Sequence, residues 1–135
     1  MRKNILLLHV MLLFLIACNA SPVKRQRFEE FDTALTHYNV SLRWAMYREA
    51  LEFHRDRDGK IPEPDLDALK AIRVTGYQVT ERIVSEDLTE AEVSSEFSYY
   101  HDDYGKVKKE IFKHIWWYEP EAKRWYNASG FPEFK

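Results

Sequence analysis

Histidine is the side chain in this sequence best suited to move a proton, because imidazole titrates near neutrality. Of His9, His37, His54, His101 and His114, the last alternates with Phe112 and Trp116 on one face of a β-like run from Val107 to Tyr118. That alternation aims His114 into an apolar cavity together with Tyr77 or Tyr99, where it is the best general acid or base the chain offers. If the cavity is closed, the same ring is a hydrogen-bonded core residue. The densest polar cluster, His101-Asp102-Asp103, falls beside Gly105 at an expected hairpin tip, where Asp favours turns and the converging ligands of a zinc site are not assembled. No nucleophile elbow, phosphate loop, dinucleotide fingerprint or H-E-x-x-H helix occurs, and the 4 glycines leave few turns to cradle a phosphate. No catalytic residue, metal or cofactor is assigned.

The stretch His54-Arg55-Asp56-Arg57-Asp58-Gly59-Lys60-Ile61 resembles part of an EF-hand loop, in which alternate carboxylates ligate calcium and a glycine makes the sharp turn. Asp56, Asp58 and Gly59 fit the third, fifth and sixth loop positions. The match then fails: His54 stands where the first aspartate belongs, Asp65 replaces the bidentate glutamate, and Pro62 and Pro64 stiffen the second half. A carboxylate-rich turn closing a helix explains the same residues without an ion.

The single cysteine, Cys18, is the other reactive group. Arg2 and Lys3 form a positive start, and Ile5 to Ala17 an apolar run too short for the roughly 20 residues of a membrane span. Leu15-Ile16-Ala17-Cys18 resembles the lipobox of bacterial lipoproteins, which implies cleavage between Ala17 and Cys18 and a diacylglycerol on the Cys18 sulfur, with a further acyl chain such as palmitate on its amine. Two or more chains anchor stably where one does not. Asn19, in place of the aspartate that retains such proteins at the inner membrane, leans the expected location toward the outer membrane, facing the periplasm. With Cys18 so used, no thiol remains for a disulfide, a thiolate metal site or a cysteine nucleophile.

Positioning elements follow from the hydrophobic period. The net charge is −2, from 20 Lys+Arg against 22 Asp+Glu mixed along the chain, so no basic face for nucleic acid is expected. Phe28, Phe31, Leu35, Tyr38 and Leu42 recur at helical spacing from about Gln26, and the pattern continues through Trp44, Tyr47, Leu51 and His54. Asn39-Val40-Ser41 offers cap chemistry in the middle, so two helices meeting near Ser41 are expected. Asp58-Gly59, Pro62 and Pro64 end the helical run, and residues 65–70 add a turn or two. Ile72 to Val84, Glu92 to Tyr100, Val107 to Tyr118 and Lys123 to Asn127 then read as four antiparallel strands. Along the third, Ile115 and Trp117 oppose Trp116 and Tyr118, so both faces turn apolar; the face without helices needs cover from Phe131 to Phe134, a ligand or a second subunit.

Helices first and strands after make an α+β domain, with N-terminal helices packed on a curved antiparallel sheet of about four strands. That order, with Ala34-Leu35-Thr36-His37-Tyr38-Asn39 through Trp44, Tyr47, Ala50 and Leu51 and the hairpins ending in Trp116-Trp117-Tyr118 and Arg124-Trp125-Tyr126, resembles the NTF2-like or SnoaL-like cone, in particular the small NTF2-like lipoproteins of proteobacteria. The expected organisation is a signal peptide at 1–17, a lipidated N-terminus and tether at 18–25, and an NTF2-like domain at 26–135. The resemblance implies a membrane-anchored binding or structural module for a small hydrophobic ligand or an envelope partner, held to the membrane through Cys18 and pairing as a homodimer through its open sheet face. The competing expectation is a cone-fold isomerase or dehydratase with a pocket centred on His114 and lined by Tyr77, Tyr99, Phe112 and Trp116.

Overall fold

The computed structural model describes residues 21–135, so Ala17, Cys18 and the leader lie outside the described residues. Helix α1 spans Pro22–Arg43. Pro22 stands at its first turn, where a missing N–H costs nothing, and the Ser21 hydroxyl accepts from the Lys24 N–H at 3.3 Å. Residues 22–25, expected in the tether, are therefore helical. The stripe Phe31, Leu35, Tyr38 and Leu42 is buried along one face.

The helix does not break at Ser41. Asn39 and Ser41 are themselves buried, and the unbroken stripe carries the helix past them, since packing of an apolar face outweighs local cap preference. The break comes at Trp44 to Met46, where Ala45 takes a left-handed φ of 57° and the Met46 N–H returns to the Ser41 carbonyl at 2.8 Å. A short α2, Tyr47–Leu51, and a single turn α3, Leu66–Leu69, follow. Asp65 caps α3, its carboxylate accepting from the Asp67 and Ala68 N–H groups.

Strands β1 (Ile72–Val84), β2 (Glu90–His101), β3 (Lys108–Glu119) and β4 (Arg124–Asn127) form an antiparallel meander in chain order. Register irregularities at Val74/Gly76 and Val79/Glu81 bend the edge strand β1. The inward face buries Ile72, Val74, Ala91, Val93, Phe97, Tyr99 and Trp116 against α1, α2 and the segment after β4, from which Phe131 and Phe134 fold back. The architecture is the expected one, helices on one side of an open antiparallel sheet.

The outward face is mostly polar, with cross-strand pairs Lys113–Glu92 at 2.5 Å and Lys109–Glu96 at 3.0 Å. Trp117 on this face is covered by the loop before α3: its indole N–H donates to the Arg55 carbonyl at 2.7 Å and Arg57 lies over the ring. Ile83, Ile111 and Ile115 stay exposed. Phe131 to Phe134, one of the covers expected for this face, packs on the opposite one.

Candidate functional site

β3 carries Phe112, His114 and Trp116 inward, as alternation requires. The His114 ring lies parallel to Phe112 at 6.4 Å and meets Tyr38 of α1 edge-on at 5.4 Å, and Trp116 meets the same tyrosine at 5.4 Å. Behind Tyr38 stands His54, just past α2, 6.3 Å from His114. His54 Nδ1 is 2.9 Å from the Ser129 carbonyl and Nε2 3.1 Å from the Tyr38 hydroxyl. A carbonyl only accepts, so Nδ1 carries the proton and donates to it, and Nε2 accepts from the Tyr38 O–H. Both nitrogens of His54 are thereby committed.

Burial disfavours the charged form of each group here. It pulls His54 down to about 4, against a smaller opposing effect of the Ser129 carbonyl. Burial, followed by the neighbouring His54, pulls His114 down to about 3. Burial also holds the Tyr38 hydroxyl well above its ordinary value. At neutral pH this is an uncharged trio, and the two hydrogen bonds of His54 tie α1, the post-α2 turn and the segment after β4 together.

Tyr77 and Tyr99 do not join it. Tyr77 lies half-exposed on β1 against Phe97, at 5.9 Å between ring centres. The Tyr99 hydroxyl is 2.9 Å from Glu110 Oε2 and 2.7 Å from the Lys135 carbonyl, and accepts from the Lys135 N–H at 3.0 Å. Between these tyrosines and His114 stand Phe97, Phe112 and Phe134, with Phe134 5.3 Å from Phe112 and 4.9 Å from Tyr99. The interior toward which His114 points is filled by side chains. Space remains at its edges: a cleft of about 270 Å³ bordered by His114, Glu110 and Phe131, one of about 380 Å³ beside Tyr99 and Tyr104, and one of about 540 Å³ between α3 and Phe131.

Tyr38, His54, Ser129 and Phe134 are the partners that sequence reasoning missed. Tyr38 was legible only as a member of a helical stripe, and His54 only as its continuation and as the mismatched first position of the EF-hand-like stretch. In the acidic loop, Asp56 Oδ1 accepts from the Asp58 and Lys60 N–H groups at 2.9 and 2.8 Å, with Gly59 at a φ of 84°. That carboxylate is engaged by the turn's own backbone. His101 pairs with Asp103 at 3.5 Å at the β2–β3 hairpin.

No family model matches the chain, and no curated protein matches it. Among solved structures, a ketosteroid isomerase-like protein from Erwinia carotovora atroseptica is similar, with a TM-score of 0.54, 14% sequence identity, and coverage of 74% of this chain and 89% of that one. The likeness shows the fold, an NTF2-like α+β cone.

Proposed function

We propose that this protein is a lipid-anchored envelope protein whose NTF2-like domain works as a binding or structural module rather than as an enzyme. The observation that carries this reading is the filled cone: Phe134 packs against Tyr47, Phe97, Tyr99 and Phe112, and space remains in clefts at the edges of the interior. Catalysis needs positioned groups around a reacting atom, whereas a module needs packing and a presented surface. The competing isomerase or dehydratase reading asks His114 to exchange a proton with a substrate. Its burial at 3% exposure and its neutral form well below pH 6 argue against that role.

The anchor belongs to the same proposal. Leu15 to Cys18 resemble a lipobox, which supports attachment through acyl chains on Cys18, and Asn19 supports a place at the outer membrane, facing the periplasm. Pairing of two copies through the outward sheet face, where Ile83, Ile111 and Ile115 are exposed, is part of it. Mass spectrometry of the membrane fraction tests the anchor. An acylated peptide beginning at Cys18 is expected in the parent and its loss in Cys18→Ser; an unmodified peptide spanning Ala17-Cys18 as the main species contradicts it.

A further inference from the structure

At the end of α1 remote from Cys18, the chain holds a large aromatic side chain out in solvent. Trp44 is 66% exposed, and beside it Met46 is 39% exposed. The turn that presents Trp44 is strained, since Ala45 at φ 57° is a left-handed non-glycine residue, a conformation that costs on the order of 1 kcal/mol and clusters at functional positions. Three backbone hydrogen bonds fix it: Trp44 N–H to Val40, Ala45 N–H to Leu42 and Met46 N–H to Ser41. Arg43 is fixed too. Its guanidinium donates at 2.6 Å to the Val74 carbonyl on the edge of β1 and lies 4.8 Å over the Trp44 ring.

Trp44 and Arg43 form one side of a cleft of about 440 Å³ whose other side is Arg73, Thr75 and Tyr100. Its volume is that of a small-ligand site. Arg73 pairs with Asp102 at 3.0 Å and donates to the Lys70 carbonyl at 2.8 Å, so the positive excess of the cleft is carried by Arg43. Tyr100 has no side-chain hydrogen bond among the described residues. A flat apolar surface, an Arg43 guanidinium with no carboxylate partner among the described residues and a phenol with free hydrogen-bonding capacity suit a ligand that has an apolar ring face, hydroxyls and a carboxylate.

We propose that this cleft binds a glycan bearing carboxylates, one sugar ring lying against Trp44 and a carboxylate meeting Arg43. One tryptophan and one methionine are too little for a protein interface, which takes about 800 Å² per partner. An anionic lipid surface fits less well. The 22 residues of α1 span about 33 Å, so an α1 standing off a bilayer anchored at Cys18 would hold Trp44 well away from it. That last step rests on the anchoring proposed above; glycan binding itself does not.

The test uses the full chain and a defined probe, a galacturonic acid trimer, with maltotriose as the neutral control. Titration calorimetry is expected to show saturable binding of the uronate, at least tenfold weaker binding of maltotriose, and at least tenfold weaker uronate binding by Trp44→Ala, whose exposed side chain leaves the fold intact. Arg43→Gln is expected to weaken the uronate more than maltotriose. Absence of saturable uronate binding, equal binding by Trp44→Ala, or equal affinity for the neutral trimer overturns the proposal. So does Trp44-dependent binding to vesicles of anionic lipid, or tighter binding of benzoate than of the uronate. Acylation of Cys18 is read separately by mass spectrometry and does not depend on Trp44, so failure of one proposal is distinct from failure of the other.

Discussion

His54 and His114 are the two residues whose chemistry the fold alters most. Both have folded values below the unfolded value of about 6.5, at about 4 and about 3. Between those limits the unfolded chain binds more protons than the folded one. Their neutral burial therefore costs nothing above about pH 6.5, and stability is lost as pH falls from there toward about 4 for His54 and about 3 for His114. Fully expressed, the effect is about 3 kcal/mol for His54 and about 5 kcal/mol for His114. Replacing His114 by Phe keeps an aromatic ring of similar shape and removes one titrating group. Denaturant unfolding at pH 7 and pH 5 is expected to show a smaller loss of stability on acidification in His114→Phe than in the parent; equal losses would mean that His114 does not titrate as a buried group. The inward face of His114 was legible in the sequence because alternation fixes which side of a strand a residue takes. Its partners were not, because Tyr38 and His54 reach it only through the tertiary fold, and alternation says nothing of how far along a sheet Tyr77 and Tyr99 stand.

At the scale of elements, the strands were the most legible part. Ile72 to Val84 is observed with the boundaries its β-branched and aromatic composition implies, and β2 to β4 depart from expectation by a residue or two at their ends. The break in the helical run was misplaced because cap-forming residues mark where a helix can start, and here Asn39 and Ser41 are packed inside one. The segment after β4 carries no period at all, and nothing local tells which face of the sheet Phe131 and Phe134 will take. Phe134→Ala tests its role. Truncating this ring is expected to cost about 2–3 kcal/mol, the low end for Phe→Ala because the site is only partly buried. It should also open the space between Phe97 and Phe112, giving the variant a fluorescence response to a hydrophobic dye that the parent lacks. An unchanged midpoint of denaturation together with an unchanged dye response would mean that the segment does not close the cone.

For the whole molecule, the same sheet is sealed on its inner face and partly bare on its outer one. Ile83, Ile111 and Ile115 stand among charged pairs on that outer face, a pattern suited to a second copy that meets both kinds of group. Sedimentation of the full chain at about 100 μM in a non-ionic detergent, with the mass of bound detergent subtracted, is expected to show a dimer, weakened by Ile115→Lys; a strict monomer would leave these isoleucines unpaired. The account turns most on the closed interior, since an open one would restore the enzyme reading. NMR of the imidazole nitrogens in labelled full-length protein reads this directly at His114. The ring is expected to stay neutral from about pH 8 down to about pH 4.5, as a group shielded from solvent must. A titration midpoint near 6.5, the value of a solvated histidine, would contradict the closed cone and place a proton-exchanging group in an open pocket.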